Sequence, residues 1–183
     1  MSGAETARKE VTGWFERVVL GLELCPFAAR PWQEGAIRFA VTEENEEIPL
    51  LQALESELQW LDEHPEAETT LLILSRALAD FSEYNDFLDR VDELLRTGGW
   101  EGRYQVASFH PDYRFADSLG EDDPADWSNR SPYPLLHLIR EDSLERALAA
   151  HPDPEAIPER NVRLLRGLNR DQMRALFGAR YDG

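Results

Sequence analysis

The chain holds 183 residues, 42% of them hydrophobic and 10% aromatic, which suits one domain with a real core and excludes global disorder. Its net charge of −17 excludes nucleic acid as a main partner, because phosphate backbones are held by clustered Lys and Arg. No stretch approaches the roughly 18 to 20 apolar residues of a membrane span, "MSGAETARKE" lacks an apolar signal region, and the single Cys25 makes neither an internal disulfide nor a multi-cysteine zinc site.

From Val11, the positions Val11, Trp14, Phe15, Val18 and Leu22 repeat at helical spacing, and Pro26 ends that helix at Cys25. "AIRFAV" (36–41) reads as a strand, and "EEIPLLQALESELQWLDE" as a helix with Leu51, Leu54, Leu58 and Leu61 on one stripe. "TTLLIL" (69–74) is apolar without alternation, the pattern of a strand buried on both faces. Asp80 with Glu83 caps a helix marked by Phe81, Tyr84, Leu88, Val91 and Leu95, which Gly98 and Gly99 end. "YQVASF" (104–109) and "LLHLI" (135–139) are further strands, followed by helices near 142–150 and across 158–176.

This alternation implies an α/β domain with a mostly parallel or mixed central sheet of about four strands packed by helices, with ferredoxin-like α+β layers as the competing arrangement. One domain is expected over residues 1–183, with flexible ends at 1–9 and 177–183. A reducing, cytoplasmic location and no membrane partner are expected. Residues 43–93 carry sixteen acids against Arg76 and Arg90, a pattern read as solvated helix faces.

In open α/β sheets, ligands gather beyond the carboxyl ends of the strands. "HPDYRFAD" starts there, and the loop "SLGEDDPADWSNRSPYP" after it is anchored by Trp127, Pro132, Tyr133 and Pro134. His110 beside Asp112 suits acid/base work near neutral pH. Arg130, Arg140 and Arg114 are candidates for a cationic pocket that takes phosphate or carboxylate; pairing with the acidic loop at the surface is the other reading. His110, Asp112 and His137 are also a possible three-ligand set for a divalent metal, whereas Asp117, Glu121, Asp122, Asp123 and Asp126 read as a solvated turn without EF-hand spacing.

His137 alternates with Leu136 and Leu138, so it reads first as a hydrogen-bonded residue on an apolar face and second as a catalyst. Cys25 reads as a buried small residue at a helix C-terminus, where the dipole raises a thiol's pKa; as a nucleophile it needs His110 or His137 as base. P-loop, dinucleotide, serine-elbow and zincin signatures are absent from the sequence.

"GLELCPFA", "ETTLLIL", "QVASFHPDYRFAD" and "NRSPYPLLHLIRE" together resemble the bacterial and plastid family catalogued as domain of unknown function 1415, over roughly residues 10–165. The resemblance brings no activity, cofactor or catalytic residue with it. It implies that Cys25, His110, Asp112, Asn129, Arg130, Tyr133, His137 and Arg140 lie in the family's signature words, which adds Asn129 and Tyr133 to the substrate-binding candidates.

Three functions follow in order. The first is an enzyme acting on a small anionic metabolite, with Arg130 and Arg140 fixing the anion and His110, oriented by Asp112, moving protons. On that reading, His110→Ala abolishes turnover or ligand binding and leaves the melting temperature nearly unchanged. The second is a non-catalytic binding or regulatory module that meets a partner through "NRSPYP" and the acidic helices, and the third a metal-dependent hydrolase. Substrate, cofactor and oligomeric state are not fixed by the sequence.

Overall fold

The structure, a computed structural model, describes residues 2–181. Strands β1 (Ile37–Thr42), β2 (Thr69–Leu74), β3 (Tyr104–Phe109) and β4 (Leu135–Arg140) form one sheet in the order β1-β2-β4-β3. β1 and β2 are parallel, while β4 runs antiparallel to both β2 and β3. The expected α/β fold is therefore present in its mixed form. The long loop after β3 brings β4 back between β2 and β3, a return that alternation of strand and helix does not reveal.

Helices α3 (Glu47–Glu63) and α4 (Phe81–Thr97) cover one face of the sheet. Leu50, Leu54, Leu58 and Leu61 of α3 and Tyr84, Phe87, Val91 and Leu95 of α4 share a core with Leu72, Leu136 and Leu138. Helix α1 (Gly3–Trp14) runs on through a π-helical segment, Phe15–Leu20, and covers the other face, where Ala7, Val11, Trp14 and Val18 share a core with Leu71, Ile73 and Leu135. β2 is buried along its whole length, as a strand without polar alternation must be.

Local signals explain the boundaries. Asp80 accepts hydrogen bonds from the Ser82 and Glu83 amides and starts α4, and Gly99, at φ +78°, takes the left-handed turn after it. The expected helix across 158–176 is two helices, α6 (Ile157–Gly167) and α7 (Arg170–Phe177), preceded by the short α2 (Ala29–Gln33) and by α5 (Glu141–Ala150) earlier in the chain. Asn169 breaks the run because it caps α7 in a reciprocal box with Gln172.

The first residues, expected to be a flexible lead, are helical instead: Ser2 caps α1 in a box with Glu5, and Ala7 is fully buried. At the other end Phe177 is buried and Gly178–Tyr181 form a short 3-10 turn; the remainder of the expected flexible end, 182–183, lies outside the described residues. No described helix is long and apolar enough to cross a membrane.

Candidate functional site

The carboxyl ends of β1, β2 and β3 and the start of β4 share one sheet edge, and the 110–134 loop folds over it. His110 sits at that edge, as its position after β3 requires, but it is fully buried. Its Nε2 lies 3.0 Å from the Leu78 carbonyl and its Nδ1 accepts the Asp112 amide at 3.0 Å, so one neutral tautomer satisfies both nitrogens. The contact with Asp112 is through the main chain, and the Asp112 side chain is exposed. Burial holds the His110 imidazole below its ordinary pKa, against the raising effect of its hydrogen bond to Leu78. This is the geometry of a tie between the β3 end and the segment before α4.

The arginines do not gather. Arg140 lies at the opposite sheet edge, since it pairs with Tyr104 at the start of β3. Its guanidinium donates to the carbonyls of Ala67, Leu61 and His64 and to the Tyr104 hydroxyl. Arg130 donates to the Tyr113 carbonyl at 3.0 Å and lies 5.0 Å from the Trp127 ring centroid, while Arg114 is exposed. Asn129 ties the loop to β3 through the Ser108 carbonyl, and Tyr133 is half-buried beside Glu10. The expected pocket of Arg130, Arg140 and His110 is thus spread over two edges.

The proposed metal triplet is separated too. His110 packs on Tyr84 and Phe81 of α4, whereas His137 shares the other sheet face with Leu71 and Ala107. Among the described residues, three His, Cys, Asp or Glu side chains converge nowhere in metal-binding geometry. The acidic loop, expected to be a solvated turn, is partly interior. Asp126 is fully buried and Asp123 nearly so, the latter gripped by Arg166 of α6. That ion pair ties the loop to α6.

Two sequence candidates do meet. Cys25 and His137 line one cleft of about 340 Å³ between the sheet face, the turn before α2, and α5. Most of its wall is apolar, with Phe15, Phe27, Ile139, Leu144 and Ala147 among the lining residues, and Glu68, Arg30 and Ser143 add polar groups. Cys25 also borders two neighbouring clefts, so its thiol stands where three depressions adjoin.

The Cys25 environment differs from the expected helix C-terminus. The helix ends earlier, and a turn with Glu23 at φ +52° carries the chain round to Cys25. The sulfur faces the Phe27 and Ala28 amides, which favour thiolate, but burial outweighs them and pushes the thiol's pKa up. His137 is the inverse case: its Nε2 is buried and has no hydrogen-bond partner, and burial lowers its pKa to about 4. At neutral pH the cleft therefore contains a protonated thiol and a neutral imidazole.

A model of the family described as "Protein of unknown function (DUF1415)" matches residues 6–175. The chain belongs to the DUF1415 family. No curated protein and no solved structure matches it. Within this DUF1415 chain, sequence reasoning named Cys25 and His137 but missed Glu68, Ser143 and His151 in the same wall. Glu68 precedes "TTLLIL" and His151 follows α5, so both are adjacent to elements that were read correctly; their shared cleft depends on β4 pairing with β2, which had no local signal.

Burial of neutral His137 has a measurable consequence. Its native pKa of about 4 lies below the unfolded value, so the unfolded chain binds the proton first as pH falls. The stability that His137 leaves intact at pH 7 should fall by about 3 kcal/mol between roughly pH 6.5 and pH 4, and His137→Gln should flatten that part of the curve. Urea denaturation of both proteins at several pH values reads this directly.

Proposed function

We propose that this DUF1415 protein is an enzyme acting on a small, uncharged and mostly apolar molecule in the Cys25–His137 cleft. The observation that carries this reading is His137, whose buried Nε2 has no protein partner and which lines an apolar cleft whose wall also holds the single thiol. Buried polar atoms are normally satisfied, and a ligand's polar group supplies what the protein does not.

The protonation states select the chemistry. The neutral imidazole is in the form that accepts a proton and the thiol in the form that donates one, so both groups hold the protonation states for proton transfer across an uncharged substrate, although burial makes each a weak acid or base. A preformed thiolate–imidazolium pair is disfavoured, since burial opposes charge on both groups. An anion is also disfavoured here: Glu68 stands in the wall, and Arg30 is engaged by Glu34 and Glu68. These features move the reading away from an anionic metabolite held by Arg130 and Arg140.

Labelling of Cys25 by reagents of different polarity tests the cleft. N-phenylmaleimide should react faster than the anion iodoacetate by about tenfold or more beyond their ratio on a free thiol, with a rate still rising at pH 9, because burial opposes thiolate. Ala147→Trp, which fills the cleft from α5, should suppress the apolar reagent without lowering the melting temperature. Equal relative reactivity in both proteins would overturn the assignment of this cleft.

A further inference from the structure

A separate cleft of about 470 Å³ lies between α1, the segment before β4 and the C-terminal end of α7, lined by Lys9, Glu10, Trp14, Arg17, Pro132 and Arg180 among others. Two of these residues are left unsatisfied. Trp14 is nearly fully buried and its indole Nε1–H has no acceptor; Arg180 donates through Nη2 to the Arg130 carbonyl at 3.0 Å, while its buried Nη1 has no partner. An indole N–H and a guanidinium N–H are donors only, so the missing partner must be an acceptor. Their coincidence in one cleft is independent of the Cys25–His137 reading.

The charges point the same way. Lys9, Arg17 and Arg180 line the cleft against one carboxylate, Glu10, in a chain whose net charge is −17. Burial pulls the Arg180 guanidinium down to about 10, with Glu10 and Asp112 opposing that effect and the nearby Arg130 and Arg17 reinforcing it. A guanidinium does not give up its proton at neutral pH, so the local excess of positive charge calls for a counter-anion. Lys9 and Trp14 of α1 and Arg17 of the π-helical segment that continues it all line this one cleft, together with Arg180.

We propose that this cleft binds the oxyanion group of a small molecule, a phosphate or a carboxylate, with Arg180 and Trp14 Nε1–H as its hydrogen-bond donors and Lys9 and Arg17 as flanking charges. A planar guanidinium fork matches either group.

The test uses the ¹⁵N-labelled full chain, inorganic phosphate and acetate as probes, and chloride at matched ionic strength as control. The Trp14 indole cross-peak, identified by its loss in Trp14→Phe, should shift saturably with phosphate or acetate and not with chloride; whichever probe acts at the lower concentration identifies the charged group. Arg180→Gln should weaken that binding more than about tenfold, the loss of a charge-assisted hydrogen bond. Because Arg180 is partly interior, Lys9→Gln with Arg17→Gln is the second variant: both side chains are exposed, so the melting temperature without anion should hold while anion affinity drops. An indole cross-peak that responds to neither probe, or to chloride equally, would overturn the proposal, as would unchanged affinity in both variants.

Discussion

His110→Ala should unfold the protein more readily by about 2 to 4 kcal/mol, because it removes a buried ring and leaves the Leu78 carbonyl and the Asp112 amide without partners. In a chain of this size that corresponds to a fall in melting temperature on the order of 10 °C. His110→Gln, which preserves one of the two hydrogen bonds, should recover part of the loss. Since burial holds the imidazole below its ordinary pKa, the folded state resists its protonation. Its contribution is therefore complete above the unfolded value of about 6.5 and is lost as pH falls below it. Thermal melts of both variants at pH 7.5 and pH 5.5 measure this. An unchanged melting temperature at both pH values would return His110 to the list of catalytic candidates.

Asp123→Ala should cost about 2 to 4 kcal/mol, allowing for the partial exposure of Arg166. The carboxylate accepts Arg166 Nε at 3.0 Å and Nη2 at 2.6 Å, and also the Leu119 and Ala125 amides at 2.9 and 3.0 Å, so its loss strands four donors. The Arg166 hydrogen bond is the chief reason why the Asp123 carboxyl lies well below the usual carboxylate range, and desolvation opposes it. The sign is opposite to that of a group whose pKa is raised on folding. Stabilisation by Asp123 is complete above about pH 4, the unfolded value, and is lost as pH falls toward the depressed native one. Arg166→Met should lose less, because the two amides keep their acceptor. Denaturant titrations of both variants at pH 7 and pH 3.5 check the order; equal losses for the two would show that the amides contribute nothing.

Much of the fold was legible because it is written in local patterns. "TTLLIL" gave a strand buried on both sides, the Leu54, Leu58 and Leu61 stripe gave α3, and Asp80 with Gly98 and Gly99 bracketed α4. The insertion of β4 between β2 and β3 was not legible, since register between distant strands leaves no mark on neighbouring residues. Site residues divided along the same line. "SFHPDYRFAD" attracted the functional reading because it is dense in polar and aromatic groups at a strand end. In the folded chain those groups mostly hold the loop: His110 holds Leu78, and Asp126 holds Phe115 and Ser118.

Cys25 and His137, each read first as a buried residue, meet in a cleft because β4 carries His137 to the face where the turn before α2 presents the thiol. Among the described residues, the large apolar side chains that stand exposed are Ile48 on α3 and Leu119 in the loop, far apart in the sequence. A sequence density of reactive side chains thus marked a structural knot, and two isolated ones marked the cleft.

The most direct measurement is the NMR titration of ¹³C,¹⁵N-labelled histidines before and after N-ethylmaleimide modification of Cys25. The cleft account expects His137 to stay neutral through the physiological range and titrate near pH 4, and to shift when Cys25 is modified, together with His151 of the same wall. His64, stacked on Trp60 on the far side of the sheet, and His110 should not respond. A His137 that titrates near the ordinary value of about 6.5 and ignores modification of Cys25 would contradict a shared, buried cleft and the function built on it.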